Sequence, residues 1–115
     1  PLVQHALVAA LTMFAKRGIP LERLVEKMCH NPAILFRIQE RGFLREGYYA
    51  DIACVSEHTP WQVSKNNILY KCGWSPLEGT TFDYKVAYTF VNGHLAYEKG
   101  TLHLQEKGQR VLFND

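Results

Sequence analysis

Apolar residues in the first third of the chain recur at helical spacing. Val3, Leu7, Ala10, Leu11 and Phe14 follow i, i+4, i+7, i+8 and i+11, one stripe of a helix. Val8 and Met13 lie off that stripe, so the helix is apolar over much of its circumference and wants neighbours on more than one side. Lys16 and Arg17 fall in its last turn, where cations meet the negative end of the helix dipole, and Gly18 supplies a left-handed stop. Pro20 opens a second helix, where its fixed φ helps and its missing N–H costs nothing. Glu22 lies in that helix's first turn, and Leu21, Leu24, Val25 and Met28 form its expected buried stripe. His30-Asn31 predicts an interruption, after which Pro32 restarts a short helical run through Phe36.

After Gly42 the period changes. Ala50 to Val55 predicts a short strand, with Ile52 and Cys54 facing opposite to Ala53 and Val55. Lys85 to Val91 alternates, placing Val86, Tyr88 and Phe90 on one face and Ala87, Thr89 and Val91 on the other. Asn92-Gly93 follows, then Leu95 to Tyr97. Asn-Gly between two β-prone runs predicts a hairpin, because a type I′ turn needs positive φ at both central positions. Residues 56–84 are long, irregular and rich in Gly, Pro and aromatics, as expected of a segment that carries a function or folds back onto a larger body. Three or four strands predict one sheet whose two faces are both largely apolar. Such a sheet buries too little to outweigh chain entropy, so the chain reads as part of a larger fold.

Composition narrows the class. An apolar fraction of 47% belongs to a globular protein. The net charge of +2 comes without any basic block, and Glu22, Arg23, Glu26 and Lys27 interleave as a solvated helix face, which argues against a nucleic-acid platform. Cys29, Cys54 and Cys72 are odd in number and lack paired spacing, so reduced thiols in the cytoplasm are expected, with Cys29 and Cys54 as small buried hydrophobes. No apolar run approaches the roughly 20 residues that span a membrane. The chain begins at Pro1, as either a processed initiator or a start within a longer protein would leave it.

The chemistry-bearing residues do not assemble into a motif. His5, His30, His58, His94 and His103 lack the close pairing that a three-ligand zinc site favours, and each reads as a partly exposed polar residue. Cys54 and His58 are four apart but straddle a strand end. Ser56, Ser64 and Ser75 lack a Gly-x-Ser-x-Gly elbow, and Gly73 and Gly79 do not lead from strand to helix as a phosphate loop would.

Other stretches carry a family resemblance. Asn31-Pro32-Ala33, followed by Leu35-Phe36, resembles an element late in the barrel of the amidohydrolase superfamily. GFLREGYYADIACV (residues 42–55) resembles the passage where hydantoinases, allantoinases and dihydropyrimidinases leave the barrel for a small β domain. YKCGWSPLEG (residues 70–79), with Val91-Asn92-Gly93 beyond it, is similar to the C-terminal region of dihydroorotases. The opening PLVQHALVAAL resembles the helix just after the dihydroorotase substrate loop.

The resemblance implies an α/β parent, a (β/α)₈ barrel with a small β-sandwich. Residues 1–41 would be the terminal barrel helices and residues 42–115 the C-terminal part of the sandwich, an α+β fragment completed by an N-terminal part of the same protein. It implies a zinc hydrolase interconverting dihydroorotate and N-carbamoyl-aspartate in pyrimidine biosynthesis, with zinc lowering the pKa of a water and polarising the amide carbonyl. The family's His-x-His, carboxylated Lys, further His and strand-end Asp match nothing in this sequence; Asp51 and Asp83 lie in the small-domain region. No catalytic or metal-binding residue is therefore expected in this chain, which alone should be inactive, and Pro1 is at most substrate-adjacent. A homo-oligomer or aspartate carbamoyltransferase is the implied protein partner. The alternatives are a fragment of a hydantoinase, dihydropyrimidinase or allantoinase, and a non-catalytic dihydroorotase-like scaffold subunit.

Overall fold

The computed structural model describes residues 1–115. In chain order its elements are α1 (Ala6–Lys16), α2 (Leu21–Val25), a π-helical turn (Glu26–His30), α3 (Asn31–Leu35), β1 (Ile52–Ser56), β2 (Trp61–Gln62), a 3₁₀ turn (Lys65–Asn67), β3 (Thr81–Phe82), β4 (Lys85–Val91), β5 (His94–Glu98) and β6 (Thr101–Leu102). They fall into two compact units that interleave along the chain. Unit 1 takes Pro1–Leu21 and Val55–Lys85, and unit 2 takes Glu22–Cys54 and Val86–Asp115.

Unit 1 is built on α1. Its Ala- and Leu-rich sequence favours helix, and it stops as the Lys16-Arg17-Gly18 sequence predicts. Gly18 takes φ +64, Gly18 N donates to Ala15 O at 3.1 Å and Ile19 N to Phe14 O at 2.9 Å, a Schellman closure. The buried face is shifted from the expected one. His5, Val8 and Leu11 are buried, whereas Val3 precedes the helix and is 82% exposed. The shift follows from what packs there, because residues from the irregular segment bury Val63 and Phe82 in the same unit and β3 lies against α1. β2 and β3 pair antiparallel, Trp61 opposite Phe82 and Gln62 opposite Thr81. Val63 N to Thr80 O and Gly79 N to Val63 O extend the ladder. The strands expected in a single sheet are thus joined by a separate two-stranded ribbon inside residues 56–84.

In unit 2 the helical backbone does not break at His30-Asn31, which keep φ/ψ of −67°/−55° and −62°/−42°. Pro32 has no N–H to offer the preceding turn, and the helix widens instead of ending, with Asn31 N donating to Glu26 O. Leu24 and Ala33 are buried, whereas Leu21 and Met28 of the expected stripe are exposed. Four strands form one sheet in the order β1-β4-β5-β6. β4 and β5 meet through Asn92 and Gly93, both at positive φ (+50° and +80°), with Val91 opposite His94. The register slips between Thr89 and Phe90, leaving Ala96 as the extra residue of a bulge. Lys99-Gly100, again both at positive φ, makes a second tight turn into β6. The C-terminal tail then pairs with residues 37–39 through Gln39 N to Leu112 O and Asn114 N to Arg37 O. Cys29, Cys54 and Cys72 are all free and exposed, against the burial expected of the first two. Cys54 lies on an edge strand, so one of its flanks has no strand to cover it.

Candidate functional site

Two polar clusters stand out, one in each unit. In unit 1 the chain reaches the start of α1 through Gln4 and His5. Gln4 uses both ends of its amide on one stretch of backbone: Nε2 donates to Asn67 O and Oε1 accepts from Leu69 N, each at 2.8 Å. His5 sits at the N-cap position but its ring does not cap the helix. The ring turns inward, fully buried, between Trp61 (centroids 5.9 Å) and Tyr70 (6.1 Å, edge-on), with Nδ1 3.5 Å from Ser75 Oγ. Burial without a charged partner holds the imidazole below the ordinary histidine pKa. Main-chain bonds fix the approach to the helix, since His5 N donates to Leu2 O at 3.0 Å.

In unit 2 the cluster is Arg41, Asp51 and Asn92. Asp51 Oδ1 accepts from Asn92 N at 2.8 Å and its other oxygen pairs with Arg41 Nη1. Arg41 Nη2 donates to Asn92 Oδ1 at 3.0 Å, and Gly93 N donates to Ala50 O at 3.0 Å. The guanidinium also lies 4.1 Å over the Tyr49 ring. The Ala50-Asp51 pair and the Asn92-Gly93 turn, far apart in sequence, thereby clasp each other.

A hydroxyl beside an imidazole has the form of a nucleophile and base, but Ser75 and His5 are both buried. Ser75 Oγ is already engaged by Leu77 N at 3.1 Å, and His5 Nε2 has no partner to orient the ring. The other histidines are dispersed. His30 stacks on Phe43 at 4.3 Å, His58 stands in solvent beside Glu57, and His94 and His103 face Glu106 and Glu98. Reading every histidine as partly exposed fails at His5, which is the most buried polar group of the chain because Trp61, Tyr70 and Ser75 close over it. No group of three or more His, Cys, Asp or Glu is arranged to hold a metal ion, so the residues present do not fit a zinc site. Pro1 is exposed at the head of unit 1.

The amidohydrolase family model matches residues 3–96. The chain belongs to the amidohydrolase family. Among its relatives, the dihydroorotase of Pyrococcus furiosus is 33% identical over 94 residues, covering 82% of this chain and 22% of the relative. That of Pyrococcus abyssi is 35% identical over 106 residues, covering 91% of this chain and 26% of the relative. An allantoinase of Bacillus velezensis is 33% identical over 97 residues, 84% of this chain and 21% of the relative. This amidohydrolase chain therefore spans about a quarter of the length of the dihydroorotases it matches. Its two clusters fall on the segments that carried the resemblance: Gln4, His5 and Ser75 lie in PLVQHALVAAL and YKCGWSPLEG, and Asp51 in GFLREGYYADIACV. No helix is long and apolar enough to cross a membrane.

Proposed function

We propose that this chain is the C-terminal portion of a dihydroorotase, a hydrolase that interconverts dihydroorotate and N-carbamoyl-aspartate in pyrimidine biosynthesis. The observation that carries the reading is the run of dihydroorotase relatives aligned over most of the chain. In the parent, residues 1–41 form the terminal helices of a (β/α)₈ barrel and residues 42–115 the C-terminal part of a small β-sandwich. The N-terminal part of the same protein supplies the missing strands and the zinc ligands. No catalytic or metal-binding residue belongs to this chain, and Pro1 lies beside bound substrate. The parent works in the cytoplasm, as a homo-oligomer or with aspartate carbamoyltransferase.

A second reading, a fragment of an allantoinase-type cyclic amidase, is favoured by the Bacillus velezensis relative. Steady-state assay of the full-length parent on dihydroorotate, allantoin and hydantoin separates the two. Turnover of dihydroorotate with little on the other rings is expected, with none by residues 1–115 alone. Preference for allantoin would move the assignment to the second reading.

A further inference from the structure

We infer that Gln4 and His5 are positioning residues, which fix the Pro1 end of the chain against residues 67–75 and so set the place of the substrate-binding wall. The inference rests on the dihydroorotase reading, in which Pro1 adjoins substrate.

Four hydrogen bonds and two aromatic contacts, all within unit 1, act on the first five residues. Gln4 is held to backbone at two points two residues apart, Asn67 O and Leu69 N, as a neighbouring β-strand would be. His5 is held next to it by the Ser75 hydroxyl and wedged between Trp61 and Tyr70. Leu2 is tied back to His5 through its carbonyl. A side chain that engages both its acceptor and its donor on fixed main chain has one orientation, so the backbone carrying it is fixed as well. Only Leu2 and Val3 lie between Pro1 and Gln4, and the Leu2–His5 turn takes in both. The position of Pro1 therefore follows the position of residues 67–75.

The anchoring residues also explain a coincidence of sequence. YKCGWSPLEG is the stretch that separates dihydroorotases from other cyclic amidases in the resemblance, and the family's metal ligands match none of its side chains. Tyr70, half-buried, and Ser75, buried, are its members that meet His5. The segment acts on substrate selection at one remove, through the chain end that it holds.

The test uses the full-length parent. Gln4→Met keeps the length of the side chain and removes both hydrogen bonds, while His5→Asn keeps a polar atom near Nδ1. Val63→Ala, a truncation of a buried apolar side chain in the same unit that leaves every hydrogen bond of Gln4 and His5 in place, serves as a control of matched thermal destabilisation. Gln4→Met should raise KM for dihydroorotate roughly tenfold while kcat stays within about a factor of two. His5→Asn should fall between wild type and Gln4→Met, and Val63→Ala should lower the thermal midpoint without moving KM. If Gln4→Met lowers the midpoint and leaves KM where Val63→Ala leaves it, the two residues are structural only and the inference is overturned. A wild-type parent that does not turn over dihydroorotate overturns the functional reading and this inference together, which distinguishes that failure from the first.

Discussion

His5 and Gly42 show how much a single position can carry. Burial depresses the His5 pKa, so the unfolded chain takes up that proton at higher pH than the folded one. Stability from this site is complete above the unfolded value of about 6.5, declines as pH falls below it, and levels off once the folded pKa is passed. The thermal midpoint of the parent should therefore drop between pH 7.5 and 5.5, and His5→Asn should reduce that drop. An equal drop in both proteins would remove His5 as its source. Gly42 has φ +82, and a Cβ there would stand 2.8 Å from the Cys29 carbonyl oxygen and overlap Ala33 Cβ. Gly42→Ala meets both a strained backbone and main chain that cannot yield, a combination worth about 2–4 kcal/mol. Denaturant unfolding should register that loss, whereas Gly47→Ala, with open space around its Cβ position, should cost only the strain of its own positive φ.

Among the elements, the β4–β5 hairpin depends on residues outside itself. Asp51 accepts from the Asn92 amide and pairs with Arg41, which in turn holds the Asn92 side chain. Asp51→Ala should cost about 1–3 kcal/mol, because it leaves the Asn92 amide without its acceptor and a largely buried Arg41 without its carboxylate. Asp51→Asn should recover part by restoring one acceptor. Equal stability of Asp51→Ala and wild type would show the clasp to be dispensable. This hairpin was legible in the sequence, since few residues besides Asn and Gly accept two consecutive positive φ values. The neighbouring Lys99-Gly100 turn was not, because Lys pays a steric cost at φ +44 and gives no such signal. The continuity of the helix through His30-Asn31 is hidden in the sequence for a related reason. Proline reports its missing N–H, but not whether a helix ends there or widens to a π turn. Residues 56–84 stayed opaque because side chains hold main chain there, as in Trp61 Nε1 to Tyr84 O and Asn67 Nδ2 to Gln62 O, and no periodicity encodes such bonds. The polar anchor at Gln4 and His5 was hidden likewise. Its partners lie more than sixty residues away, and only the resemblance of both segments to one family linked them.

For the whole molecule, the apolar residues left in water set the expectation. Ile34, Leu35 and Phe36 are 64%, 74% and 61% exposed at the end of α3, and Leu44 and Phe113 add to unit 2's uncovered surface. Both edges of the four-stranded sheet, β1 and β6, are open. Exposed apolar surface and unpaired strand edges promote self-association. Residues 1–115 produced alone should sediment as oligomers or aggregates, and on the proposed reading coexpression with an N-terminal part of the same protein should recover soluble material. A stable monomer with a sharp unfolding transition would contradict this. The interleaving of the units has a further consequence for anyone recombining these genes. Each unit takes two separate stretches of chain, so a single crossover at residue 54 exchanges half of each unit, and one at residue 85 splits unit 2. Only a swap of 55–85 together with the segment through Leu21 transplants a unit intact. Chimaeras between relatives should survive when the chain is exchanged at all three boundaries, after residues 21, 54 and 85, and fail at single crossovers.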